Sequence, residues 1–220
     1  MGNLLGGPYS LNLGERATAL EYYQKALAIS EELLAEDPAS GSARHDLAVC
    51  FEKMGDLLLD TDPRQSSDFH ERALKLADEL LAGSPEEFRF LRFRVTNLRK
   101  LALARAAGGD IAEALAHVQE SLELLRTLET QYPANRELEP ERHAGLLALA
   151  DISLSLERND DAMAHYREAV QLAEAASSSV PSDLMARSGA APTPTHGSAT
   201  STLRARDTRK PAIERTGWRP

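Results

Sequence analysis

The sequence predicts an all-α fold, a superhelical solenoid of about three and a half antiparallel helix pairs, from three observations. The chain positions of four prolines differ by 47, 48 and 48 in turn, and a small side chain upstream of each proline recurs with the same spacing. Apolar residues in each upstream run follow the period of a helix. Two independent markers with one period indicate an internal repeat. The markers are Pro38, Pro85, Pro133 and Pro181, with Ala26, Ala73, Ser121 and Ala169.

The run before each proline is predicted to be an amphipathic helix of about 20 residues, roughly 30 Å long. In the first run Leu20, Tyr23 and Leu27 fall on one face. Proline ends such a helix, because it lacks the backbone N–H and its ring clashes with the preceding turn. The four runs cover residues 19–34, 66–81, 114–128 and 162–176.

A second helix is predicted ahead of each of the last three runs. Its apolar stripe contains a small residue that allows a neighbouring helix to approach closely: Gly55, Ala102 and Ala150. The connectors are short, so the two helices of each unit should be antiparallel.

Two connectors carry the residues that end and begin helices. Asp62 is a plausible N-cap before Pro63, and Gly109 should end a helix. Asp110 and Glu113 have the spacing of a capping box for the helix that follows.

Composition excludes several classes of function. The chain has a formal charge of −9 and one cysteine, Cys50, which excludes a disulfide framework and favours the cytoplasm. No apolar stretch is long enough to span a membrane. His117 and His165 occupy equivalent positions in successive units and are interpreted as repeated surface histidines, because no metal motif or glycine-rich phosphate loop accompanies them. We therefore predict no metal, no cofactor and no enzymatic activity.

The pattern resembles tetratricopeptide repeats over about residues 14–181. In that family the first helix of a unit carries a large residue, Leu-Gly and another large residue, and the second carries Ala, an aromatic, a small residue and a closing Pro. The period here is longer than the family's usual one, and it is similar to the extended variant found beside signalling domains in large bacterial proteins. The matching residues are Ala19, Tyr23, Ala26, Phe51, Gly55, Ala73, Pro85, Leu98, Leu101, Ala102, Gly109, Ala114, Ser121, Ala162, Tyr166 and Ala169.

The resemblance implies a protein-interaction scaffold whose first helices line a concave groove for a peptide or helix of a partner. The segment at 88–105 contains six basic residues and no acid, so an acidic partner segment is expected there. Arg92, Thr96, Arg99 and Leu103 share one face of this helix, and Arg89 lies one turn earlier. The predicted partner-binding residues are Arg89, Arg92, Thr96, Arg99, Lys100 and Leu103. A structural alternative is that these basic residues neutralise acids of the second helices, namely Glu71, Asp78, Glu79, Glu120 and Glu123.

Three regions are predicted: a degraded N-terminal segment at 1–13, the helical repeat domain at 14–181, and a disordered basic tail at 182–220. The tail holds seven basic and three acidic residues, and the remainder of the chain has a formal charge of −13. Nucleic-acid binding through this tail is one alternative function. A second is self-association through the open first helix, where Leu20, Tyr23 and Leu27 are expected to have no partner within the chain. A third is a regulatory module split from a larger signalling protein.

Overall fold

The computed structural model describes the backbone of residues 13–178 and the side chains of residues 18–176. These residues form seven α-helices and no strand, which confirms the predicted fold class. The tail at 182–220 and nearly all of the segment at 1–13 lie outside the described residues. The helices are α1 (Leu13–Glu36), α2 (Gly41–Leu58), α3 (Pro63–Gly83), α4 (Phe88–Gly108), α5 (Ile111–Gln131), α6 (Leu138–Ser155) and α7 (Asn159–Ser178).

The helices form a stack of pairs in chain order. Each helix packs against the next one, and α2–α3, α4–α5 and α6–α7 are the three complete pairs. We call α2, α4 and α6 the first helices, and α1, α3, α5 and α7 the second helices. Among the first helices α4 also contacts α6, whereas no two second helices of the described chain have a comparable contact. Side chains of α4 also reach α2, and we call the row formed by α2, α4 and α6 the inner row.

The repeated small residues lie where helices approach most closely. Ala73, Ser121 and Ala169 are at most 1% exposed, and Ala102 and Ala150 are fully buried. Two apolar clusters form the core. The larger joins α4, α5 and α6, and the smaller joins α2 and α3 with contributions from α1 and α4.

The helix cap before α3 agrees with the prediction from the sequence, and the cap before α5 does not. The Asp62 carboxylate accepts a hydrogen bond from the Gln65 backbone N–H at 3.0 Å, with Pro63 in the first turn of α3, as predicted. The capping box predicted for α5 is wrong. Asp110 stands at the N-cap position but its side chain makes no capping bond. The Asp110 and Glu113 carboxylates instead lie 3.6 and 3.4 Å from the Arg105 guanidinium, which competes for them.

Three glycines have a specific structural role. Gly109 ends α4 with a φ of 96°, a left-handed conformation that side chains disfavour. A Cβ on Gly55 would lie 2.6 Å from Nε2 of His70, and a Cβ on Gly145 would lie 2.7 Å from Cδ2 of Leu122. A side chain at position 55 would force the buried His70 ring to move, whereas one at position 145 would displace only the end of the Leu122 side chain.

Candidate functional site

All six residues of the predicted site lie on α4, whose rotation is set by its buried face. Phe90, Val95, Leu98 and Leu101 are each at most 7% exposed and pack into the stack. Their burial turns the opposite side of α4 toward its neighbours in the inner row. The predicted residues then divide into three groups with different partners.

Arg92, Thr96 and Arg99 converge on one carboxylate of the next first helix. The Thr96 hydroxyl donates a hydrogen bond to Oε1 of Glu141 at 3.0 Å. The Arg92 and Arg99 guanidiniums lie 3.6 and 3.7 Å from the same carboxylate. Arg92 also lies 3.5 Å from Glu137. The structure brings these three predicted residues together, and the acids that face them belong to α6 and its N-terminal connector, not to a second helix.

The pairing around Glu141 leaves guanidinium donors unsatisfied. Both separations exceed the length of a charge-assisted hydrogen bond, and Nε of Arg99 is buried with no hydrogen-bond partner among the described residues. Arg99 and Glu141 have side chains that are only 15% and 13% exposed. Arg99 thus has a buried donor without an acceptor, an arrangement that favours a second acceptor, whereas the Arg92 side chain is 40% exposed and also faces Glu137.

Lys100 points to the opposite side of α4, toward α2. Its ammonium pairs with the Glu52 carboxylate and lies 2.7 Å from Oδ2 of Asp56. Burial by itself would raise the pKa of Glu52, but the positive charges of Lys100 and Lys53 outweigh burial and hold that pKa below its ordinary value. Lys100 therefore belongs to a charged cluster between α2 and α4, apart from Arg92 and Arg99.

Arg89 and Leu103 have little in common with the other four. Arg89 is exposed, with its guanidinium 4.8 Å from the centroid of the Phe90 ring. Leu103 is partly buried and packs against the larger apolar cluster. The predicted site residues of α4 thus lie in several different environments in the structure.

Two other basic residues of α4 pair with second helices, as the structural alternative expected. The Arg94 guanidinium donates to Asp78 on α3 and to Glu120 on α5, both at 2.8 Å. Arg105 pairs with Glu71 of α3. Of the other acids in that alternative, Glu79 pairs with Arg44 of α2 instead.

Sequence reasoning missed that the Arg94 arrangement recurs one unit later. The Arg142 guanidinium on α6 lies 3.5 Å from Glu129 on α5 and 3.2 Å from Glu168 on α7. Both arginines join the second helices of adjacent units. The signal was present, because Arg142 and Glu168 follow Arg94 and Glu120 by one full period of the repeat.

A buried polar centre between α2, α3 and α4 was also missed. His70 and Asn97 are at most 1% exposed. The Asn97 amide donates to the Phe93 carbonyl at 3.0 Å, so its Oδ1 faces Nδ1 of His70 at 3.3 Å and accepts from it. Burial lowers the pKa of His70 below its ordinary value, although Asp56, 3.9 Å away, opposes this.

Residues 18–176 contain no group of three or more histidine, cysteine or acidic side chains placed to hold a metal ion. In the same part of the chain, no helix combines the length and apolar character that crossing a bilayer requires.

The fold defines a helical-repeat protein, and the comparisons agree with a more specific class. Residues 144–175, in α6 and α7, match the model of the tetratricopeptide repeat. The chain therefore contains at least one tetratricopeptide repeat, and the two preceding units pair their helices in the same way. A search of curated proteins returned no match.

Comparison with solved structures returned matches that share little sequence with this chain. MamA 41-end from Desulfovibrio magneticus RS-1 is 16% identical, with a TM-score of 0.42 over 72% of this chain and 70% of that one. The MamA RS-1 ArsTM double mutant gives the same values. BtubC from P. vanneervenii is 12% identical, with a TM-score of 0.24 over 86% of this chain and 99% of that one.

Proposed function

We propose that this chain is a non-catalytic scaffold of the cytoplasm that holds a peptide or helix of a partner protein along its inner row of helices. Tetratricopeptide repeats make it a protein-interaction scaffold in general terms. The proposal adds the place of binding, the face of α4 toward α6, and the character of the bound segment, which carries at least one carboxylate.

The observation that carries the proposal is the unsatisfied pair of guanidiniums at Glu141. Arg92 and Arg99 both approach that carboxylate without a hydrogen bond to it, and Nε of Arg99 is buried without an acceptor among residues 18–176. A carboxylate of the partner would supply the missing acceptor in a partly desolvated position, where a charge-assisted hydrogen bond is strong. Arg89, exposed one turn earlier, extends the basic surface.

Lys100 and Leu103 take indirect parts in this proposal. Lys100 fixes α4 against α2 through Glu52 and Asp56, and Leu103 fixes it against the core. Both position the binding residues, while contact with the partner falls to Arg89, Arg92, Thr96 and Arg99.

The proposal is tested by affinity capture from the native host with quantitative mass spectrometry. The Arg92→Glu/Arg99→Glu double variant should lose specific partners by at least about tenfold, the loss expected of a central charged contact. The matched control is Arg64→Glu, which reverses an exposed arginine at the start of α3 and should retain every partner. Circular dichroism would establish that all variants remain helical.

A variant that is expected to increase capture separates recognition of a partner by Arg92 and Arg99 from a purely structural role of these two residues. Glu141→Gln removes the carboxylate that competes for Arg92 and Arg99, so it should increase capture of the same partners. If capture is unchanged in both the double variant and Glu141→Gln while the helices remain folded, the inner row near Glu141 is not the binding site.

A further inference from the structure

The second helix α1 has an exposed apolar stripe that no other described element covers. Tyr22, Ile29 and Leu33 are 67%, 58% and 48% exposed. With Ala26 they follow spacings of four, three and four along the chain, so they lie on one side of α1. Second helices in later units bury the positions equivalent to Leu33, namely Leu80 at 5% and Leu128 at 1% exposure.

This stripe is not the one that the sequence indicated. The prediction placed the open surface at Leu20, Tyr23 and Leu27, but these three are half-buried and Leu27 packs against the α2–α3 cluster. The open surface therefore points away from α2. It includes a lysine whose ammonium lies 5.6 Å from the centroid of the Tyr22 ring, Lys25.

We propose that α1 pairs with α1 of a second copy of this chain, antiparallel and about a two-fold axis, through Tyr22, Ala26, Ile29 and Leu33. In that orientation the small Ala26 of one copy lies opposite Ile29 of the other, and Tyr22 lies opposite Leu33. Large residues thus face small ones at the centre and each other at the ends. A stripe that complements itself suits a closed dimer, the commonest form of oligomer.

The charges beside the stripe favour the same orientation. Lys25 and Glu32 are exposed and lie along the edge of α1 that faces away from α2. A two-fold axis across antiparallel helices brings equal edges together, so Lys25 of each copy comes within reach of Glu32 of the other. A parallel pairing about a two-fold axis would place this edge opposite the other edge of the stripe, so Lys25 would not meet Glu32 and the attraction between them would be absent.

The surface available on one helix is small for a stable interface, so we expect a dissociation constant of about 1 µM or weaker. Sedimentation equilibrium of the full chain, from about 1 to 500 µM, should show a monomer–dimer equilibrium. Ile29→Glu should raise the dissociation constant by at least about tenfold, because it buries a charge at the centre of the pair. Since Ile29 is exposed in the monomer, helicity should not change.

The charge pair supplies the test of orientation. Lys25→Glu should weaken the dimer by about two- to fivefold, and adding Glu32→Lys to it should restore the original constant. Val170→Glu, on an exposed apolar residue of α7, is the control and should leave association unchanged.

Four results would each overturn the proposal: a monomer at every concentration, a dimer that persists unchanged in Ile29→Glu, a dimer abolished by Val170→Glu, or a charge swap that fails to restore association. None of them bears on the partner site at Glu141, because the experiment uses the isolated chain.

Discussion

Successive units of the stack pack against each other at two junctions, and the buried side chains at these two junctions differ in chemistry. Where α4 meets α2 and α3, buried polar pairs lie beside the smaller apolar cluster: His70 and Asn97 pair with each other, and Lys100 pairs with Glu52. Where α6 meets α4 and α5, the centre is hydrocarbon, with Leu125, Leu128, Leu138, Leu149 and Ile152 in one cluster.

The difference shows that the repeat specifies spacing but not the source of stability. A hydrocarbon centre is stabilised by apolar burial and tolerates small adjustments of its side chains. A polar centre needs each donor and acceptor at a fixed place, because a buried group left without its partner is destabilising. We therefore expect the α4–α6 junction to depend on volume, and the α2–α4 junction to depend on pairing and pH.

The largest effect should come from removing volume at the hydrocarbon junction. Leu125→Ala leaves a cavity at a side chain that is 1% exposed, and should lower the free energy of unfolding by about 2–5 kcal/mol. Urea denaturation followed by circular dichroism measures this. Leu154→Ala, on a leucine of α6 that is 45% exposed, is the control and should change stability by about 0.5 kcal/mol or less. Equal losses in the two variants would contradict a core at Leu125.

A smaller effect should follow from removing one partner at the polar junction. Lys100→Met keeps most of the side-chain volume but leaves Glu52 with Lys53 as its remaining cation, and should cost about 1–3 kcal/mol. Combining it with Glu52→Gln should recover part of that loss, because the carboxylate that lost the Lys100 charge is then gone. Losses that simply add in a double-mutant cycle would show that the two side chains do not interact.

The smallest effect is a dependence of stability on pH that arises from histidines of the polar junction. Burial lowers the pKa of His70, and also that of His45, whose ring lies 5.7 Å from Phe90 and 5.6 Å from Phe93 between centroids. The unfolded chain therefore binds protons more readily than the folded one. The contribution is complete above about pH 6.5 and is lost as pH falls through the folded pKa values.

Urea denaturation at a series of pH values measures this dependence, whose slope cannot exceed about 1.4 kcal/mol per pH unit for each histidine. His70→Gln retains an amide that can bond Asn97 and should reduce the slope below about pH 6.5. His165→Gln makes the same change away from the junction and serves as its control. An identical slope in the His70→Gln variant would show that His70 does not titrate differently on folding.

The fold could be predicted from the sequence because the residues that indicate it recur in every unit. The prolines and the small residues recur with one shared period, and their repetition located both helices of every complete unit. A single position offers no such redundancy. Asp110 and Glu113 had the spacing of a capping box, but the Arg105 guanidinium, on the preceding helix, draws both carboxylates away from the backbone.

The candidate site was harder to predict because its geometry depends on how one unit sits on the next. The sequence placed Arg92, Thr96 and Arg99 on one face, which is correct, but Glu141 belongs to the following unit and faces them only through the packing of α6 on α4. The His70–Asn97 pair is similar. The sequence alone gives no sign that His70 is buried, because its burial depends on the close approach of the helices at Gly55.

Arg94 and Arg142 have a mechanical consequence. Each lies on a first helix and forms ion pairs with the two second helices on either side. A larger angle between adjacent units would therefore lengthen at least one of these ion pairs. Their side chains are 26% and 38% exposed, so dissolved ions can weaken both ties. The stack of helix pairs should therefore resist bending between units more strongly in dilute buffer than in concentrated salt.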